Sequence, residues 1–145
     1  MTLTDIKFSE FLKDFEKTLK YLFHEKEDIN KLSANRGLPP ELLNEILAER
    51  PLSVAIPEQY GGRGSKVKEC LGILAAASYE SLPLSLTFGI NIALFLEPVS
   101  KYADESVKQG IFQRFLEIDI KIFYLAGMDI KNPAVYMRKT FFNKS

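Results

Sequence analysis

The sequence predicts a mostly α fold: an orthogonal bundle of about five helices followed by the start of a β-strand. Three observations carry this. Apolar residues recur at three- and four-residue steps over most of the chain. Prolines and glycines cluster at a few places that separate those stretches. Only near the C-terminus does the spacing change to strict alternation.

The first helix is expected from about Phe8 to Leu32, with Phe8, Phe11, Leu12, Phe15, Leu19, Leu22 and Phe23 forming one apolar stripe. Asp14, Glu16, Lys17 and Lys20 take the opposite face. The stretch "ANRGLPP" ends it, because Gly37 suits a left-handed cap and the prolines block continuation. "PELLNEILAER" is a second, short helix: Pro40 sits in its first turn, where a missing N–H costs nothing, and Pro51 stops it. The loop "VAIPEQYGGRGSK" follows, from Val54 to Lys66. Its paired glycines permit positive φ and a sharp turn after Tyr60. A packed turn and a phosphate cradle are both readings of such a loop. No strand precedes it and no Gly-Lys-Ser/Thr closes it, which favours the turn.

Ser65 is expected to cap a third helix from about Lys66 to Glu80, with Val67, Leu71, Leu74, Ala75 and Tyr79 inward. "SLPLS" breaks it. Pro83 starts a fourth helix to about Tyr102, apolar nearly all round through Leu84, Leu86, Phe88, Ile90, Ile92, Leu94, Phe95 and Leu96, and so expected at the centre of the bundle. Asp104 caps a fifth, "ESVKQGIFQRFLE", amphipathic through Val107, Ile111, Phe112 and Phe115. In "IDIKIFYLAG", Ile118, Ile120, Ile122 and Tyr124 alternate with Asp119, Lys121 and Phe123, a strand signal. That strand has no pairing partner in a helical bundle.

Composition narrows the function. The 145 residues fit one domain, 46% of them hydrophobic and 26% charged. Basic and acidic residues number 19 each, so there is no basic excess to draw the chain onto nucleic acid or an anionic membrane. No uninterrupted apolar stretch is long enough to span a bilayer, since Ser85, Thr87, Gly89 and Asn91 interrupt the best one. Cys70 is the only cysteine and His24 the only histidine, which leaves no ordinary zinc cluster and no Ser-His or Cys-His pair of usual spacing. The lone thiol and the absence of a signal-peptide pattern point to the cytoplasm.

The order of helix, helix, "IPEQYGGRGS", helix, apolar helix, "ADESVKQGIFQRFL" and strand resembles the N-terminal helical domain of the acyl-CoA dehydrogenase family. Ile56, Pro57, Tyr60, Gly61, Gly62 and Gly64 follow the family loop, with Ala55 in place of its first glycine. Glu105, Lys108 and Phe112 follow its Glu-x-x-Lys-x-x-x-Leu/Phe pattern. The resemblance implies an acyl-CoA dehydrogenase-like N-terminal domain over residues 1–118 and the start of a truncated or degenerate middle β-domain over 119–145. It also implies the family's chemistry, FAD-dependent oxidation of acyl-CoA, with this domain forming one wall of the acyl pocket. On that reading Ser85, Leu86, Gly89, Ile90 and Ala93 flank the acyl tail, and Tyr124, Ala126 and Gly127 meet the flavin. The catalytic base and most of the flavin site belong to family domains beyond Ser145, so no catalytic residue is assigned here. Glu97 is the only acid in the apolar helix.

Gly127, Met128 and Asp129 stand where the family has Thr-Glu-Pro. That departure supports an alternative reading: a degenerate, non-enzymatic helical module that binds a protein partner or a second copy of itself. Such contacts would run through the terminal strand and the tail that carries Phe141 and Phe142.

Overall fold

The computed structural model describes residues 6–28 and 38–117. Among them the protein is built from five helices with no strand. Helix α1 (Phe8–Tyr21) runs on into a π turn, Leu22–Lys26. Helix α2 spans Pro40–Ala48, α3 Val67–Glu80, α4 Leu82–Tyr102 and α5 Glu105–Leu116. Two short 3-10 turns, Pro51–Ala55 and Glu58–Tyr60, lie between α2 and α3. The expected strand after Ile118, the Gly37 cap and the tail lie outside the described residues.

Helix α1 buries the face its spacing assigned: Phe11, Phe15, Leu19, Leu22 and Phe23 are in the core. Pro40 opens α2, and Arg50, with φ 54°, makes the left-handed turn out of it into Pro51. Ser81 breaks the chain between α3 and α4, and its hydroxyl caps α4 by accepting from the Leu84 N–H at 3.3 Å. Asp104 caps α5 as expected, accepting from the Ser106 N–H at 2.9 Å. Ser65 does not cap α3: it takes φ 55°, and Lys66 stands at the cap without a side-chain bond.

Helices α3 and α4 fold back on each other around Ser81 as the most extensive contact in the molecule. The 3-10 turn Pro51–Ala55 is buried whole and packs against α2, α3, α5 and the middle of α4. Aromatic rings fill the centre: Phe15 meets Phe88 at 6.3 Å between ring centroids, and Phe95 meets Phe115 at 5.4 Å.

Helix α4 is continuous but uneven. Leu82–Ile90 is α-helical, Asn91–Leu96 is a π turn and Glu97–Tyr102 is α-helical again. Pro98 explains the widening, because it offers no N–H to the carbonyls one turn earlier and its ring crowds them. At 21 residues and a mean hydropathy of 1.5, α4 is long and apolar enough to cross a membrane, contrary to the reading of the sequence by interruptions. In this fold one of its sides is bundle core.

Two expectations about burial are corrected. Helix α3 does not turn Val67, Leu71, Ala75 and Tyr79 inward; all four are exposed, and Leu74 is only partly buried. Its inward side is Glu69, Cys70, Ile73, Ala76 and Ala77. The reason is local. Glu69 has a buried partner in Arg63, and Gly72 lets α1 approach so closely that a Cβ there would lie 2.7 Å from the Phe8 ring. The small, paired side therefore packs tightly, and the bulkier stripe is left outside. Helix α4 is not enclosed either. Leu84, Phe88, Ile92, Phe95 and Leu96 are core, but Leu82, Leu86 and Leu94 are 72%, 63% and 66% exposed.

Candidate functional site

The glycine loop is a latch. Pro57 accepts from the Gly62 N–H at 3.2 Å, Ser53 O from the Arg63 N–H at 2.8 Å and Ile56 O from the Gly64 N–H at 2.9 Å. Glu58 O takes the Gly61 N–H at 2.9 Å. The N–H groups that a phosphate cradle would need are thus spent inside the loop. Gly61 and Gly64 have φ 87° and 105°, and Gly62 sits so close to Ile56 that a Cβ would be 2.1 Å from its carbonyl oxygen.

Arg63 turns from the loop into the core, where it is 4% exposed. Its Nε donates to Glu69 Oε2 at 2.7 Å and its terminal nitrogen to the Ile6 carbonyl at 3.0 Å. Its guanidinium lies 4.8 Å from the Phe11 ring centroid and 5.7 Å from that of Phe8. This one side chain joins the start of the chain, the loop and α3. A charge inside a glycine turn gives no sequence signal of burial, so its role was not legible there.

Tyr60 closes the other side. Its ring packs on Phe112 at 5.0 Å between centroids, and its hydroxyl donates to Glu105. Lys108 Nζ donates to the same carboxylate at 2.6 Å. The two sequence motifs that carried the family resemblance therefore meet in space. The hydrogen bonds from Lys108 and Tyr60 hold Glu105 below the usual glutamate range, and the bond to Glu105 raises Tyr60 in turn. Cys70 is buried with its thiol toward the Val54 carbonyl at 3.6 Å, and burial pushes it up, away from the reactive thiolate.

The expected acyl-contact residues lie together on the outer side of α4, along its seam with α3. Leu86 and Ala93 are exposed, and Gly89 and Ile90 are partly buried. Ser85 sits in the seam with its hydroxyl donating to the Leu74 carbonyl at 2.8 Å, so that group is committed within the protein. A Cβ on Gly89 would meet only Leu74 Cδ2, at 3.8 Å; the space beyond is open. Leu82 extends the row at one end, and on α3 Val67 and Leu71 are exposed at 73% and 59%. Val67 and Leu71 were assigned to the core from the sequence. Two apolar stripes compete on α3, and only Gly72 and Glu69 hint which one turns in. The expected flavin-contact residues Tyr124, Ala126 and Gly127 lie outside the described residues.

Glu97, the acid of α4, is exposed and paired with Lys101 at 2.6 Å, one turn along the helix. No group of three or more His, Cys, Asp or Glu among the described residues is placed to hold a metal ion.

An all-helical domain with a latched Pro-x-x-Tyr-Gly-Gly-x-Gly turn and an open apolar helix face is the class these features define. The family model described as "Acyl-CoA dehydrogenase, N-terminal domain" matches residues 13–119, and the chain belongs to that family. Neither the curated proteins nor the solved structures compared with it include a significant match.

Proposed function

We propose that this chain supplies the acyl-pocket wall of an acyl-CoA dehydrogenase-like, FAD-dependent oxidoreductase, and that it is inactive by itself. The observation that carries the reading is the open space at Gly89, set in a row of outward apolar residues from Leu82 through Leu86 to Ala93. An unbranched acyl tail laid along this row would take Leu86, Ile90 and Ala93 out of water. Each methylene so covered contributes about 0.8 kcal/mol. The residues of this chain do three things: they exclude water from the tail, present no charge to it, and hold it straight against α4. The flavin, when bound, supplies the redox chemistry. The loop cannot cradle its phosphates, since its N–H groups are already bonded, so the flavin contacts are assigned to Tyr124, Ala126 and Gly127 in the segment 119–145. Glu97, the acid of α4, is paired with Lys101 and is given no role as base. The cytoplasm is the compartment that fits the lone, buried thiol.

Leu86→Glu tests the wall. It should lower binding of a fluorescent palmitoyl-CoA analogue at least about tenfold, which is 1.4 kcal/mol, while the circular dichroism stays that of the parent. Unchanged binding overturns the assignment. Purified protein of this length should neither carry stoichiometric flavin nor reduce a dye with butyryl- or palmitoyl-CoA; doing both refutes the proposed inactivity.

A second reading, a non-enzymatic module that docks a protein partner, is favoured by the breadth of the outer face. Leu94, at 66% exposure, and Tyr79 and Tyr102, at 88% and 83%, leave more apolar side chain in water than a single tail would cover. Light scattering decides on self-association: a clean monomer at high concentration counts against docking by a second copy.

A further inference from the structure

The inward side of α4 carries a polar residue in the midst of its core. Asn91 opens the π turn and is 0% exposed. Its Nδ2 donates to the Thr87 carbonyl at 2.8 Å. That bond fixes which way the amide points and leaves Oδ1 as a buried acceptor with no partner. On the 3-10 turn Pro51–Ala55, Ser53 is 1% exposed, and its hydroxyl is the other buried side-chain group without a partner among the described residues. These two turns pack against each other. The two groups thus belong to turns that touch, and no direct hydrogen bond joins them.

A dry acceptor and a dry hydroxyl cost more than holding one water still. Asn91 Oδ1 needs a donor, and the Ser53 hydroxyl can accept or donate. A water, with two of each, satisfies both. We propose that a single internal water sits between the two turns, donating to Asn91 Oδ1 and hydrogen-bonded to Ser53 Oγ. It makes the widened turn of α4 a fixed structure, tied through Ser53 to the turn that also receives the Arg63 N–H. Asn91 points inward from the segment whose outer side carries Gly89 and Ala93, so the water acts as a positioning site for that segment. This holds whether or not the outer face binds an acyl tail.

A high-resolution crystal structure of the full chain should show one density peak within hydrogen-bonding distance of both atoms. An empty gap, two separate waters, or a direct Ser53–Asn91 bond overturns the proposal. In solution, magnetic-resonance cross-peaks should connect a long-lived water to the Asn91 side-chain amide, and their absence counts against it. A double-mutant cycle adds the energetic test. Ser53→Ala and Asn91→Leu should each raise the unfolding equilibrium constant, and the pair together should fall short of the product by at least about threefold. Strictly multiplicative effects sink the shared site. If Asn91→Leu does not fold, the density and the cross-peaks of the parent still decide.

Discussion

Gly62 is the residue on which the loop's shape depends most directly. Its φ is not positive, so an alanine there meets no backbone penalty of that kind. The obstacle is the Ile56 carbonyl oxygen, 2.1 Å from where the Cβ would sit, and backbone cannot yield as a flexible side chain can. Gly62→Ala should therefore destabilise by about 3 kcal/mol or more, the upper end for forced overpacking, read as a lower urea midpoint with unchanged slope. A loss below about 1 kcal/mol, the low end of that range, would mean the turn is looser than its hydrogen bonds imply. Glu105 governs acid sensitivity at the same latch. Its carboxyl is held low by Lys108 first and Tyr60 second. Its contribution is complete above about pH 4.3, the unfolded value, and is lost as pH falls from there through the folded one. Glu105→Gln should accordingly cost stability at neutral pH, and its difference from the parent should shrink as pH falls below about 4.3. A difference that does not change with pH would show that the ion pair and the tyrosine bond contribute nothing specific.

Among the elements, α4 offers the sharpest test of the proposed face. Glycine in a helix interior costs roughly 1 kcal/mol relative to alanine. If Gly89 relieved a tight crossing, leucine there would overpack and destabilise by about 1–3 kcal/mol. The structure places only Leu74 Cδ2 near it, at ordinary contact distance. Gly89→Leu should thus hold stability or raise it by up to about 1 kcal/mol, while binding of a long-chain acyl probe falls. Urea denaturation against the parent reads the difference, and a loss above about 1 kcal/mol sinks the open-face assignment. The same element shows where periodicity stops being informative. A helix apolar on every side contains no pattern to choose its buried half. Phe88 and Phe95 turn inward because rings from α1 and α5 meet them, and Leu86 and Leu94 are left outside.

At the scale of the whole molecule, the Arg63–Glu69 pair ties together residue 6, the loop and α3. Removing one member strands a buried charge. Arg63→Met should cost about 3–5 kcal/mol, and the double variant Arg63→Met with Glu69→Leu should recover a large part of it, as buried pairs replaced by apolar residues do. Additive losses would instead locate the value of Arg63 in its contacts with Phe8 and Phe11 and with the Ile6 carbonyl.

Helix count, helix order, the inward stripe of α1, Pro40 in the first turn of α2, the cap at Asp104 and the family were all legible in the sequence. Each rests on neighbours within a few residues, or on a motif with fixed spacing, and local interactions suffice to specify them. The buried side of α3, the exposure of α4, the inward turn of Arg63 and the unmet pair of Ser53 and Asn91 were decided only by tertiary structure. None of these is decided by neighbours within a few residues. The choice falls to contacts between distant segments: Gly72 against Phe8, Glu69 against Arg63, and the 3-10 turn against the middle of α4.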